Sequence, residues 1–262
     1  MTDSLLVDRA DGVTTLTMNR PESLNSLDID LKVALREAAE SAAADPAVRA
    51  VVLTGAGRSF CVGQDLKEHI ASLEAGGPPL STVVEHYNPL VKALATMPKP
   101  VVAAVRGMAA GAGASLAFLA DFRIGGPKTA FLMAFANVGL AADSGASWTL
   151  PRLVGYAKAT ELLMLAEPVP SAEAQRLGLL SRLVEDDDAV LPAAQELAAR
   201  LAAGPTVAYG MIKRQLLTAY AGSFEQALGT EAEVQALLGA TADHRNSTNA
   251  FVAKEKPTFI GE

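Results

Sequence analysis

The sequence predicts an α/β fold in which strand, loop and helix recur along the first three quarters of the chain, followed by a helical C-terminal quarter. Two short runs of apolar β-formers, residues 50–53 and 101–105, read as strands buried on both faces, as in the interior of a mostly parallel sheet. Each leads through a glycine-bearing loop toward a helix: Phe60-Cys61-Val62-Gly63-Gln64-Asp65-Leu66 after the first, Gly107-Met108-Ala109-Ala110-Gly111-Ala112-Gly113-Ala114-Ser115 after the second. From residue 189 strand-like runs stop. Residues 189–203, 205–220, 223–238 and 242–253 read as successive Ala- and Leu-rich helices punctuated by Gly204, Gly222 and Gly239.

In chain order, residues 5–7 and 13–18 alternate around Asp11-Gly12, a tight-turn pair, and predict an opening antiparallel hairpin. After Asn19-Arg20-Pro21-Glu22, residues 28–44 place Leu31, Ala34, Leu35, Ala38 and Ala42 at helical spacing, and Asp45-Pro46 stops the helix. Residues 73–79, with Gly76-Gly77-Pro78-Pro79, form a breaker-rich loop expected at the rim of a site. The apolar helices after residue 189 must cover either the domain's own core or a second subunit.

Composition narrows the function. With 262 residues, half of them hydrophobic, the chain can bury a sizeable core. A formal net charge of −7 opposes a nucleic-acid partner, because that binding needs a basic face to neutralise phosphates. Cys61 is the one cysteine, so no intrachain disulfide forms and the cytoplasm is the expected compartment. No apolar run reaches the length of about 18 residues that a membrane span needs, so no membrane partner is expected. His69, His86 and His244 are too scattered to predict a metal site.

The two glycine loops carry the chemical signal. At a strand-to-helix junction, small residues leave backbone N–H groups uncovered and the helix start adds partial positive charge, so an oxygen bearing negative charge docks there. Two such loops that converge make an oxyanion hole. Gly111-Ala112-Gly113 lacks the third glycine of a dinucleotide fingerprint, and no strand at the start of the chain supplies the usual first βαβ unit. Gly55-Ala56-Gly57-Arg58-Ser59 lacks the lysine of a phosphate loop, and Ser115 is not in a nucleophile elbow.

The order of these segments resembles the crotonase, or enoyl-CoA hydratase/isomerase, family over nearly the whole chain. The resemblance rests on Asn19-Arg20-Pro21, the segment from Phe60 to Leu66, and Pro98-Lys99-Pro100 with the strand after it. It extends through Gly111-Ala112-Gly113, Ala120-Asp121-Phe122-Arg123-Ile124, Gly139-Leu140-Ala141-Ala142-Asp143 and Ala250-Phe251-Val252-Ala253-Lys254. It implies a spiral of ββα units over residues 1–188 that carries an acyl-CoA site. Residues 189–262 become a helical region that builds a homotrimer or a dimer of trimers. The implied oxyanion donors are the amides of Gln64 and Ala112, and no cofactor is implied, coenzyme A being part of the substrate.

Where hydratases of the family carry two glutamates, this chain has Ser115 and Phe135, neither able to act as the carboxylate acid or base that water addition requires. The remaining acid is Asp143, where isomerases and a dehalogenase of the family carry their aspartate. Its apolar neighbours Leu140, Ala141 and Ala142 would raise its pKa by desolvation; a helix cap is the alternative role. Gly63-Gln64-Asp65-Leu66, His86-Tyr87-Asn88-Pro89, the run from Phe131 to Phe135 and Asp143-Ser144-Gly145 with Trp148 resemble the phenylacetate-pathway isomerase branch. That branch converts 1,2-epoxyphenylacetyl-CoA to an oxepin-CoA and also shifts enoyl double bonds. Gly63, Asp65, Leu66, Gly111, Met133, Phe135, Leu140 and Lys254 are the expected substrate contacts. Two other functions stay open: a hydrolase or dehalogenase with Asp143 as nucleophile, and a non-catalytic acyl-CoA-binding subunit.

Overall fold

The computed structural model describes residues 3–262. The predicted hairpin is β1 (Leu5–Ala10) and β2 (Val13–Met18), joined at Asp11 and Gly12, both in the left-handed region that a two-residue turn requires. α1 (Ile29–Ala44) follows, capped by the Asp28 carboxylate on the Leu31 N–H, and buries Leu31, Leu35, Ala39 and Ala42. β3 (Ala50–Gly55) leads to α2 (Leu66–Glu74), α3 (Asn88–Ala95) and β4 (Val101–Val105). β5 (Met108–Ala110) runs directly into α4 (Ala112–Leu119).

The second half contains β6 (Phe122–Gly125), β7 (Ala130–Leu132), α5 (Ala146–Val154), α6 (Tyr156–Leu165), β8 (Val169–Pro170), α7 (Ser171–Arg176) and β9 (Arg182–Leu183). Four helices close it: α8 (Val190–Ala202), α9 (Thr206–Ala219), α10 (Phe224–Gly239) and α11 (Ala242–Ala253). Their bounds lie within one residue of those expected from the sequence. Among the described residues no helix is long and apolar enough to cross a membrane.

The main sheet has the order β1-β2-β3-β4-β6-β9, parallel from β2 onward, and a small second sheet has the order β5-β7-β8. The unbroken apolar runs of β3 and β4 follow from this position. Val51 and Leu53, with Val101, Ala103 and Val105, face one core together with α1, α3 and α4, whereas Ala50, Val52, Val102 and Ala104 face a second core under α8. α8 therefore packs on the sheet, while α9 and α10 leave Ile212, Leu216, Phe224 and Leu228 exposed, as is Tyr220 between them. The C-terminal tail is tied back: the Asp243 carboxylate accepts from the N–H groups of Ile260 and Gly261, and Arg49 donates to the carbonyls of Phe259 and Gly204.

Three local expectations change. Met108 to Ala110 form a strand and α4 begins at Ala112, because Ala110 pairs with Leu132 across the second sheet and the Gly111 N–H donates to the Leu132 carbonyl. Leu73 and Glu74 finish α2, so the breaker-rich loop starts after them. Asp143 caps nothing with its side chain, since α5 starts at Ala146 behind Gly145.

Candidate active site

The two glycine loops are stitched side by side. The Phe60 N–H donates to the Met108 carbonyl at 3.0 Å, and the Ala110 N–H donates to the Cys61 carbonyl at 2.9 Å. The closeness depends on glycine. A Cβ at Gly113 would lie 2.2 Å from the Cys61 carbonyl oxygen, and one at Gly63 would lie 2.9 Å from the Ala110 oxygen and 3.3 Å from the Ala112 nitrogen. Gly63 (φ +91°) and Gly111 (φ +50°, ψ −125°) also hold backbone conformations that side-chain-bearing residues rarely adopt.

This arrangement frees two donors. Leu27 forms a parallel bridge with Gln64, its N–H donating to the Gly63 carbonyl and its carbonyl accepting from the Asp65 N–H, which leaves the Gln64 N–H unused. The Ala112 N–H opens α4, one of the first-turn amides that have no partner inside the helix. Both residues line a cavity of about 120 Å³. Of the residues singled out from the sequence its wall includes Gly63, Leu66, Gly111, Phe135, Leu140 and Asp143, together with Val62, Leu80, Tyr87 and Val138.

Asp143 is the one carboxylate among the described residues lining this cavity. Burial pushes its pKa above the ordinary aspartate value, the Ser144 hydroxyl (2.9 Å to Oδ1) and the charge of Lys32 opposing that shift in part. Ser115 and Phe135 supply neither acid nor base. Ser115 is fully buried, its hydroxyl donating to the Gly111 carbonyl at 3.2 Å, and Phe135 lies on the apolar wall.

Three expected contacts lie elsewhere. Asp65 caps α2 by accepting from the Lys67 and Glu68 amides and pairs with Arg20 at 3.0 Å, so its carboxylate holds the scaffold. Arg20, from the Asn-Arg-Pro segment, also pairs with Asp28 at 3.0 Å and so joins the caps of α1 and α2. Met133 is buried in the main core and Phe131 packs against Phe118 with tilted rings, centroids 5.0 Å apart, leaving Ala134 and Phe135 of that run on the cavity wall. Lys254 ends α11 in an exposed left-handed turn.

The sequence reading missed a polar cluster behind the wall. Lys32, wholly buried, donates to Thr82 Oγ1 at 2.7 Å and to Gln64 Oε1 at 3.3 Å, and Tyr87 donates its hydroxyl to the same Gln64 oxygen at 2.6 Å. A signal was present: Lys32 stands three residues before Leu35 and seven before Ala39, on the buried face of α1.

Two uncovered backbone amides and a half-buried carboxylate thus line one cavity, on a fold of mostly parallel strands and helices. The family model described as enoyl-CoA hydratase/isomerase matches residues 8–262. The chain belongs to that family and has the crotonase fold. It is 42% identical over 252 residues to the 1,2-epoxyphenylacetyl-CoA isomerase of Escherichia coli, covering 96% of each chain. It is 30% identical over 263 residues to the crotonyl-CoA hydratase of Syntrophomonas wolfei, covering 99% of each. A solved Mycobacterium abscessus structure ascribed to the enoyl-CoA hydratase/isomerases superposes with a TM-score of 0.94 at 41% identity, over 98% of this chain and 100% of that one.

Proposed function

We propose that this protein is a cofactor-independent acyl-CoA isomerase acting on 1,2-epoxyphenylacetyl-CoA or on 3-enoyl-CoA. The observation that carries the reading is that Asp143 is the one carboxylate among the described residues lining the cavity, while Phe135 lies on its apolar wall and Ser115 is buried behind Gly111. Water addition needs a positioned acid and base for the water itself, whereas a double-bond shift needs one group that takes a proton from one carbon and returns it to another. The Gln64 and Ala112 amides polarise the thioester carbonyl and hold the enolate oxygen that forms when Asp143 removes the α-proton. Delivery of that proton to the γ-carbon gives the conjugated 2-enoyl thioester. Fixed donors aimed at developing charge contribute about 3–4 kcal/mol each in comparable sites. On the epoxide, the same groups assist ring expansion, the enolate oxygen held in the same place.

Asp143→Asn keeps the size of the side chain and cannot take a proton. Turnover of a 3-enoyl-CoA, followed by the absorbance of the conjugated product, is expected to fall by at least about 100-fold with acyl-CoA binding nearly intact. Wild-type kcat/KM is expected to rise with pH through an apparent pKa above the ordinary aspartate value, because burial raises that of Asp143 and only the ionised form accepts a proton. An Asn variant with more than about a tenth of wild-type turnover refutes the base. A covalent acyl-Asp143 species on rapid quench would assign nucleophilic chemistry instead. The exposed apolar side chains of α9 and α10 support assembly as a homotrimer or a dimer of trimers, and a monomer by light scattering at micromolar concentration rejects it.

A further inference from the structure

A buried lysine is costly unless its charge is put to use, because the ammonium loses water that the protein must replace. Lys32 has no exposed side-chain surface, yet its nearest carboxylate, Glu68, is 3.8 Å away. Its two close partners, Thr82 Oγ1 and Gln64 Oε1, are neutral and belong to residues of the cavity wall, and its ammonium lies 4.9 Å from the centre of the Tyr87 ring, which lines the same cavity. We propose that Lys32 is a positioning residue for catalysis: with Tyr87 it pins the Gln64 side chain behind the wall so that the Gln64 amide faces the cavity, and it supplies the fixed positive charge that the desolvated Asp143 faces.

The inference rests on the proposed isomerase reading and adds the group that orients one oxyanion donor and supports the base. The Gln64 side chain follows the donor amide on the same residue, so its two bonds through Oε1, 2.6 Å from Tyr87 and 3.3 Å from Lys32, limit rotation about that backbone. The groups facing Lys32 are Glu68 and Asp65 at the start of α2, Asp28 at the start of its own helix, Tyr87, and His86, whose Nδ1 lies 3.2 Å from Thr82 Oγ1; Lys92, on α3, is exposed. Desolvation lowers the Lys32 pKa against the pull of Glu68, Asp28 and Asp65. Asp143 lines the cavity that Gln64, Thr82 and Tyr87, the three groups against Lys32, also line together with His69, and the Lys32 charge behind that wall offsets part of the rise that burial causes in the Asp143 pKa.

The test is the pH profile of kcat/KM with a 3-enoyl-CoA for the wild type, Asp143→Asn, Lys32→Met, Lys32→Gln and Tyr87→Phe. An acid limb in the wild type that Asp143→Asn abolishes establishes the base; without it the isomerase reading fails first and separately. Given that limb, both neutral Lys32 variants are expected to move it upward by about half a pH unit or more and to lower kcat about tenfold, with KM within about threefold. Tyr87→Phe, which frees Gln64 without changing charge, lowers kcat and leaves the limb in place. A folded Lys32 variant with the wild-type limb and kcat, or a Tyr87→Phe limb that moves as far as the lysine variants' limb, overturns the proposal. If neither Lys32 variant folds, the wild-type alkaline side decides: a fall in kcat/KM below the ordinary lysine value of about 10.4 supports it, and a flat profile to that pH overturns it.

Discussion

Gly113→Ala is the sharpest test of whether the proposed oxyanion hole depends on two backbones lying in contact. The new Cβ would stand 2.2 Å from the Cys61 carbonyl oxygen, 2.7 Å from its carbon and 2.8 Å from its sulfur, about 1 Å inside ordinary contact distance. The carbonyl cannot rotate away, because it accepts the Ala110 N–H at 2.9 Å and that bond joins the two loops. Overpacking of this kind costs about 1–3 kcal/mol or more, and the better helix propensity of alanine in α4 returns at most about 1 kcal/mol. The expected net is a loss of about 1–2 kcal/mol, read as a lower urea midpoint with unchanged slope. Turnover should fall further than stability. Cys61 lies three residues before Gln64, and a donor displaced by about 1 Å costs on the order of 100-fold in rate. A soluble variant with the wild-type midpoint and turnover would refute the close approach and with it the structural basis of the hole.

Three further outcomes follow from the geometry. Asn25 is fully buried, donates to the carbonyls of Ala56, Ser59 and Phe60 and accepts the Arg20 N–H, so Asn25→Ala should cost about 2–4 kcal/mol in urea unfolding. Asp143→Asn should raise the urea midpoint at pH 7 while abolishing turnover. The folded state raises the Asp143 pKa, so the stability tied to its proton is present below the unfolded value and lost as pH rises through the folded one; the gain from Asn must vanish at low pH. The Cys61 thiol, buried and pushed up to about 12, should resist a thiol reagent at neutral pH in the folded protein and react fully once denatured.

Local pattern determined much of this protein. The hairpin turn at Asp11-Gly12 and the four closing helices depend on interactions within a few residues, which turn chemistry and periodicity record directly, and the unbroken apolar runs of β3 and β4 record burial on both faces. That Gln64, Ala112 and Asp143 deserve notice was legible too, because glycine loops at strand ends and an acid among apolar neighbours are local signals, and the three line one cavity. Tertiary structure alone decided the rest. The two- to four-residue strands β6, β7, β8 and β9 exist through pairing with distant segments, and their composition carries little of that. Whether Phe131, Met133 or Phe135 meets the cavity turned on the path of β7, and whether Asp65 binds a ligand or a scaffold turned on where Arg20 arrives. Lys32 illustrates the limit: its place on the buried face of α1 was in the pattern, but its partners Gln64, Thr82 and Tyr87 come from segments 32, 50 and 55 positions away, and only the folded chain brings them together.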